Sequence, residues 1–306
     1  MRNIVLLAPN GQVGFELAHS LVGLGQLHCL SRADVDFSQI AQLIDKIEQY
    51  KPDIIVNAAA WTAVDKAETE PAAAYLLNAT LPEALAELAQ RLDAWLVHYS
   101  TDYVYSGSGD IPWQEQDTAL PLSIYGQSKL AGDEAIQRYC EKYLIFRTSW
   151  VYAARGNNFM LTMLQLAQRL QSLQVVADQF GAPTSAALIA KSTVHALTKV
   201  LDTKQATAQR HALSGIYHLA TQGTTSWFDF AQAIFALAQK HGLQLTLAPN
   251  AVTPIATAQY KTAAVRPQNS RLNLHKTEQV FGLTFPDWQS ELERTYCHWD
   301  QTRKSR

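Results

Sequence analysis

Apolar residues along this chain fall into two alternating rhythms. Short runs rich in leucine and β-branched residues, Ile4–Ala8, Leu27–Leu30, Asp53–Ala59, Trp95–Ser100 and Tyr143–Trp150, read as strands. Between them, Phe15–Val22, Ile40–Tyr50, Pro82–Arg91 and Tyr125–Tyr139 carry apolar residues at the spacing of one helix face. Strands that are apolar throughout, rather than alternating, are buried on both sides, so the pattern predicts a parallel sheet covered by helices on each face. That is a Rossmann-type doubly wound α/β fold. The rhythm changes after Trp150: Gly156-Asn157-Asn158 opens a helix through Gln168, Gln179–Thr184 is turn-rich, and Gly215–Ala220 reads as one more strand. Residues 249–273 hold Pro254 and Pro267 among small and polar side chains, which suits loops over a site rather than core. The organisation expected is a dinucleotide-binding domain over 1–150 and a smaller C-terminal substrate-binding domain over 151–306, with segments around 186–220 returning to the first sheet.

Composition narrows the function classes. The chain has 306 residues, 47% hydrophobic and 17% charged, with a formal net charge of −2. That supports a large core and offers no electrostatic footprint for nucleic acid. Cys29, Cys140 and Cys297 are odd in number and far apart, which fits buried apolar thiols in a reducing compartment better than a disulfide framework or zinc site. The first apolar run is too short for a signal segment or membrane span. A soluble, cytoplasmic protein is expected.

Chemistry enters at the strand ends. After the first strand, Ala8-Pro9-Asn10-Gly11-Gln12-Val13-Gly14 places two glycines three apart at the opening of a helix. There the backbone can approach a pyrophosphate and the helix N-terminus can receive it. The first position of the three-glycine pattern is Ala8, a departure that ordinary backbone dihedrals would tolerate. Ser31-Arg32 follows the second strand, where a hydroxyl and a guanidinium suit the 2′-phosphate of NADPH, with NADH also accepted. Asp36-Phe37 offers a hydrogen bond and a ring face to adenine. The three alanines of Asn57-Ala58-Ala59-Ala60 end another parallel strand and leave room for a nucleotide.

Tyr125 and Lys129 stand four apart, which on a helix places phenol and ammonium on one face. A cation within about 4–6 Å lowers a tyrosine pKa toward working pH. His98 reads as an interior residue.

Gly11-Gln12-Val13-Gly14, Asn57-Ala58-Ala59-Ala60-Trp61-Thr62-Ala63-Val64-Asp65-Lys66-Ala67-Glu68, Ser100-Thr101-Asp102-Tyr103-Val104 and Tyr125-Gly126-Gln127-Ser128-Lys129 together resemble the extended short-chain dehydrogenase/reductases. Further matching segments run through Phe146–Tyr152, Asp178–Thr184 and Arg266–Leu272, so the resemblance covers nearly the whole chain. It implies reduction, by NADPH or NADH, of the 4-keto group of a thymidine-diphosphate-linked 6-deoxyhexose, within nucleotide-sugar synthesis for surface polysaccharide. It makes Tyr125 the general acid, Lys129 its activator and ribose ligand, and Thr101 the hydroxyl on the sugar. Asp102 and Trp150 fall at sugar-contacting positions. Gly11, Gln12, Val13, Asp36, Phe37, Ala59, Ala60, Thr62 and Tyr99 fall at cofactor-lining ones. For the nucleotide and diphosphate, Asn157, Asn158, Gln179 and Arg266 are the candidates, and the guanidinium fork makes Arg266 the preferred diphosphate ligand. Some family members join as homodimers through glutamates that hold magnesium. Glu16 matches one such position but Ala187 and His298 stand at the others, so no metal is expected here.

Two rival readings differ in their bookkeeping. A sugar-nucleotide epimerase or dehydratase shares the tyrosine and lysine but regenerates its nicotinamide. A non-catalytic accessory subunit of a methionine adenosyltransferase shares the fold, but the intact Thr101, Tyr125 and Lys129 favour chemistry.

Overall fold

The computed structural model describes residues 1–202 and 211–304; residues 203–210, within the stretch expected to return to the sheet, lie outside the described residues. Six parallel strands form the central sheet: β1 (Asn3–Leu7), β2 (Gln26–Leu30), β3 (Ile54–Asn57), β4 (Trp95–Thr101), β5 (Tyr143–Thr148) and β10 (Gly215–His218). Their order is β2-β1-β3-β4-β5-β10. Because β1 is followed in sequence by β2 on one side and β3 lies on its other side, the order reverses at β1, and a crevice opens beyond the carboxyl ends of the strands there. Ile4, Leu6, Val56 and Val97 point to one face and Val5, Leu7, Ile55 and Leu96 to the other, and each set joins its own buried cluster. This two-sided burial is why the strands lack polar alternation.

One face is covered by α1 (Gln12–Ser20) and α8 (Ala186–Val200), the other by α2 (Ile40–Glu48), α5 (Leu81–Arg91) and α6 (Ile124–Tyr139). Short helices α3 (Val64–Ala67) and α4 (Pro71–Tyr75) lead into a π-helical turn over Leu76–Thr80 that continues into α5. A third cluster is built from α7 (Phe159–Ala167), α9 (Trp227–Lys240) and α11 (Trp288–Lys304), with Met160, Phe230, Ile234, Trp288 and Tyr296 at its centre. Small two-stranded sheets stitch this lobe together: β6 (Val151–Tyr152) with β9 (Thr184–Ser185), β7 (Leu173–Val176) with β12 (Val252–Ile255), and β8 (Phe180–Gly181) with β11 (Thr225–Ser226). Helix α10 (His275–Phe281) returns to the first lobe beside β10. Among the described residues no helix is long and apolar enough to cross a membrane.

Several boundaries differ from the sequence reading for identifiable reasons. β3 stops at Asn57, whose side-chain oxygen accepts from the Ala59 N–H at 3.1 Å and turns the chain out of the sheet. β5 stops at Thr148 because Trp150 takes φ = 50°, which no strand continues through. α1 begins three residues earlier than its apolar periodicity suggests, since the periodicity does not register the uncapped first turn. The turn-rich stretch at 179–184 contributes the short strand β8 and the start of β9. Cys140 is buried, but Cys29 is exposed and Cys297 only half-buried, so burial explains one thiol of the three.

The placement of α6 depends on a bare spot. A Cβ at Gly132 would stand 2.1 Å from the Asn78 carbonyl oxygen in the π-turn, so only glycine lets these helices meet. Gly132→Ala is expected to destabilise the protein by about 1–3 kcal/mol in urea denaturation, the usual cost of overpacking. Gly23→Ala, where nothing lies within 4 Å, serves as the control and should be neutral. Equal effects at the two positions would contradict the packing.

Candidate active site

A cleft of about 600 Å³ runs along the carboxyl ends of β1, β3 and β4. At one end it is floored by Gly11, Gln12 and Val13 at the start of α1. Gly11 is the N-cap and no side chain caps this helix, so its first N–H groups have no side-chain acceptor. A Cβ at Gly14 would fall 2.0 Å from the Ala8 carbonyl oxygen, which fixes the close approach of turn and helix. Ala8 itself has φ = 57°, not the ordinary dihedrals expected of it, so an alanine occupies a left-handed position that usually costs about 1–2 kcal/mol. An uncapped helix start behind a tight turn is what a pyrophosphate requires. The backbone of Ala58, Ala59 and Ala60, with Thr62, forms one wall. Arg32 and buried Phe37 sit at the far end with Ser31, whose hydroxyl donates to Asp34 at 2.6 Å. Asp36 is exposed, accepts from the Ser38 N–H at 2.9 Å, and does not line the cleft.

The opposite end gathers Tyr99, Thr101, Asp102, Tyr103, Tyr125, Lys129 and Trp150. Tyr125 lies in the first turn of α6, which is anchored twice: the Ser123 hydroxyl accepts from the Gly126 N–H, and the Glu68 carboxylate accepts from the Ile124 N–H at 2.9 Å. Thr101, the last residue of β4, donates to Asp102 at 3.1 Å and accepts from the Tyr103 N–H at 3.2 Å. Burial pushes the Tyr125 phenol well above its usual value, with Thr101 acting in the opposite direction. The net shift is upward, opposite to the lowering expected beside a lysine. Lys129 is 1% exposed; its Nζ donates to the Tyr99 carbonyl at 2.6 Å and lies 3.0 Å from His98 Nε2. Burial brings its pKa down to about 8, with Asp133 acting in the opposite direction. Asp133 accepts from Ser100 at 2.9 Å and pairs with Arg147 at 3.1 Å inside the protein.

The remaining candidates divide. Trp150 lines the cleft with its ring stacked on Trp227 at 3.6 Å, and a Cβ at Gly181 would come within 2.8 Å of that ring. Its strained φ is therefore held by packing on two sides. Arg266 sits behind Tyr103, donating to the Tyr103 hydroxyl at 3.2 Å and to Asp65 at 2.6 Å. Asn157 lines the cleft, whereas Asn158 does not: it caps α7 and donates to Gln12 at 3.0 Å. Gln179 also stays outside, bonded to Thr257 and Trp227 at 3.1 Å each. Sequence reasoning passed over Trp227 and Glu68 as site residues. The helical pattern around Trp227 and the acid ending the Asp65-Lys66-Ala67-Glu68 run were the available signals.

Two buried polar atoms on cleft residues, Asp102 Oδ2 and Thr148 Oγ1, have no protein partner. With the uncapped helix start and the alanine wall, they fit a dinucleotide along the cleft and a polar second ligand beside Thr101.

A Rossmann-type sheet whose dinucleotide cleft ends on a threonine, a tyrosine and a lysine is the architecture of a short-chain dehydrogenase/reductase. Within that class, the chain belongs to the family described as RmlD substrate binding domain, whose model matches residues 1–300. It is 49% identical to the dTDP-4-dehydrorhamnose reductase of Escherichia coli (strain K12) over 296 residues, covering 95% of this chain and 96% of the relative. It is 44% identical to that of Burkholderia thailandensis, covering 93% and 95%. The crystal structure of dTDP-4-dehydrorhamnose reductase from Bacillus anthracis in complex with NADP superposes with a TM-score of 0.86 at 32% identity, covering 97% of this chain and 99% of that one.

Asp102 sets a pH dependence on folding. Burial raises its carboxyl to about 6, and the Ser270 and Thr101 hydroxyls only partly offset this. Because the folded protein holds the proton more tightly than the unfolded chain, the associated stability is complete below about pH 4 and lost as pH rises through about 6. Asp102→Asn should stabilise the fold by on the order of 2–3 kcal/mol at pH 8 and by little at pH 4, read from urea titrations. The same gain at both pH values would contradict the shift.

Proposed function

We propose that this chain reduces the 4-keto group of dTDP-4-dehydro-L-rhamnose, giving dTDP-L-rhamnose, with NADPH or NADH as reductant. The observation that carries the reading is the meeting of Thr101, Tyr125 and Lys129 at one end of a cleft whose other end is the uncapped start of α1. The nicotinamide cofactor, when bound, supplies the hydride. Gly11, Gln12 and Val13 receive its diphosphate, the alanine wall and Thr62 lie along it, and Arg32 reaches toward a 2′-phosphate.

Tyr125 supplies the proton: its O–H bond breaks as the O–H on carbon 4 of the sugar forms. The raised phenol pKa serves this direction of reaction, since an acid must hold its proton until charge develops on the ketone oxygen. Thr101 steadies both oxygens, and Trp150 gives the sugar a flat wall. Arg266, with two of its five N–H donors on Tyr103 and Asp65, keeps donors for the substrate diphosphate. The reaction is placed in the cytoplasm, where free reduced cofactor is made. Pairing as a homodimer, as the family resemblance implies, belongs to the same proposal.

Tyr125→Phe is expected to lose about 10²–10⁴-fold in turnover while binding NADPH as the wild type does, measured by steady-state rates and calorimetry. Turnover at the wild-type level would remove Tyr125 from the acid role.

A further inference from the structure

Tyr103 lines the cleft, yet none of the roles above uses its side chain as a ligand. Its ring stands edge-on to that of Tyr125, with centroids 5.4 Å apart and planes at 78°. Its backbone is fixed on both sides. The Tyr103 N–H donates to the Thr101 hydroxyl, and a Cβ at Gly126 would fall 2.3 Å from the Tyr103 carbonyl oxygen, so the start of α6 lies directly against it. The hydroxyl, by contrast, is engaged on one side only. Arg266 Nη1 donates to its oxygen at 3.2 Å, which uses a lone pair and leaves the O–H hydrogen. Among the described residues no acceptor takes that hydrogen. Burial pushes the phenol above its usual value against the pull of Arg266, so the hydrogen stays in place at neutral pH.

Arg266 is aimed in its turn. Asp65, in α3, accepts from Arg266 Nη2 at 2.6 Å with one carboxylate oxygen and from the Ala264 N–H at 3.1 Å with the other. The far end of the same strap is tied to the second lobe, where the Thr257 N–H and hydroxyl donate to Asp178 at 2.8 and 2.6 Å. Residues 257–266 are thus anchored by an aspartate at each end. Tyr103 and Asp65 together take two of the five Arg266 N–H groups and leave three. Asp65 itself does not line the cleft.

Exposure rises outward along this series, from 5% at Thr101 to 23% for the Arg266 side chain and 45% for that of Asp65. Tyr103 stands between the strand end and the rim. A nucleotide-linked sugar that sets its ketone against Thr101 and Tyr125 runs its diphosphate outward past the Tyr103 hydroxyl. The free O–H beside a guanidinium with three open donors suits an anion, since hydrogen bonds to a charged acceptor are the strong ones. We infer that the Tyr103 hydroxyl is a ligand of the substrate diphosphate, aimed by Arg266, with Asp65 as the positioning residue behind it. The inference rests on the reading that the substrate is a nucleotide-linked ketosugar, and it deepens that reading by adding a neutral donor beside the cation. The same phenol then touches both ends of the reaction, the acid by its ring edge and the diphosphate by its hydroxyl.

Tyr103→Phe removes only the oxygen and keeps the ring edge against Tyr125. Calorimetric titration of the full chain should show dTDP bound about 10–100-fold more weakly, the range for a hydrogen bond to a charged group. NADPH, by calorimetry, and thymidine, by ligand-detected NMR, should bind as they do to the wild type. In steady-state kinetics the loss should fall on KM for the sugar nucleotide more than on kcat. Unchanged dTDP binding, or an equal loss for thymidine or NADPH, would overturn the assignment. Asp65→Ala reads the positioning role. It should weaken dTDP in the wild-type background and add nothing in an Arg266→Ala background, whereas the same loss in both would remove Asp65 from that role. A selective loss of dTDP in Tyr103→Phe, together with no turnover of any dehydro-sugar by the wild type, would sink the reductase reading and leave the diphosphate ligand standing.

Discussion

The burial of Lys129 is the constraint on which the rest of the site depends. An amine with almost no contact with water must find its partners inside the fold, and here both come from β4. The carbonyl of Tyr99 and the ring of His98 require β4 to run directly beneath α6. That approach requires Gly126 and Gly132, whose missing side chains let α6 lie against the Tyr103 and Asn78 carbonyls. Asn78 in turn bonds Ser128 on α6 and both backbone polar groups of Trp61, so the wall of the cofactor cleft and the helix carrying the acid share one bracket. Once the lysine is in place, Tyr125 is in place a turn earlier, and Thr101 meets it from the strand end.

Of the four described non-glycine residues with positive φ, two lie where ligands are to be met and two, Lys51 and Asp93, lie in helix-to-strand turns elsewhere. Ala8 and Trp150 both take positive φ, and both border the cleft. At Ala8 the strained turn leaves the start of α1 open, and at Trp150 the chain leaves β5 so that an indole faces the cleft. Neighbouring packing maintains each: Ala8 by its N–H bond to Leu30 in β2, Trp150 by Trp227 and Gly181. The two lobes are joined across the same cleft. Asn158 reaches Gln12 from one side, and Arg266 reaches Asp65 from the other.

The doubly wound sheet was legible because its strands are apolar on both faces, and the strand ends carried the motif residues that line the cleft. What stayed hidden is physical in origin. Periodicity cannot see a positive φ or a side chain that bonds the backbone, so the ends of β5 and β3 ran long. It also says nothing about which polar groups satisfy one another, so Asn158 and Gln179 looked like ligands although caps and lobe contacts engage them. The spacing of Tyr125 and Lys129 placed them on one face but not in their dielectric: burial raises the phenol and lowers the amine. His98 read as an interior residue, and burial alone could not reveal that both its ring nitrogens are engaged.

The central claim is directional: a proton held on Tyr125 and a hydride from a soluble cofactor are both spent on one ketone. The most direct measurement follows reduced-cofactor absorbance with enzymatically made dTDP-4-dehydro-L-rhamnose, using NADPH and NADH in parallel. One equivalent of cofactor oxidised for each dTDP-L-rhamnose formed is the expected result. Conversion of a sugar nucleotide with no net loss of reduced cofactor would contradict it and place the chain with enzymes that recycle their nicotinamide.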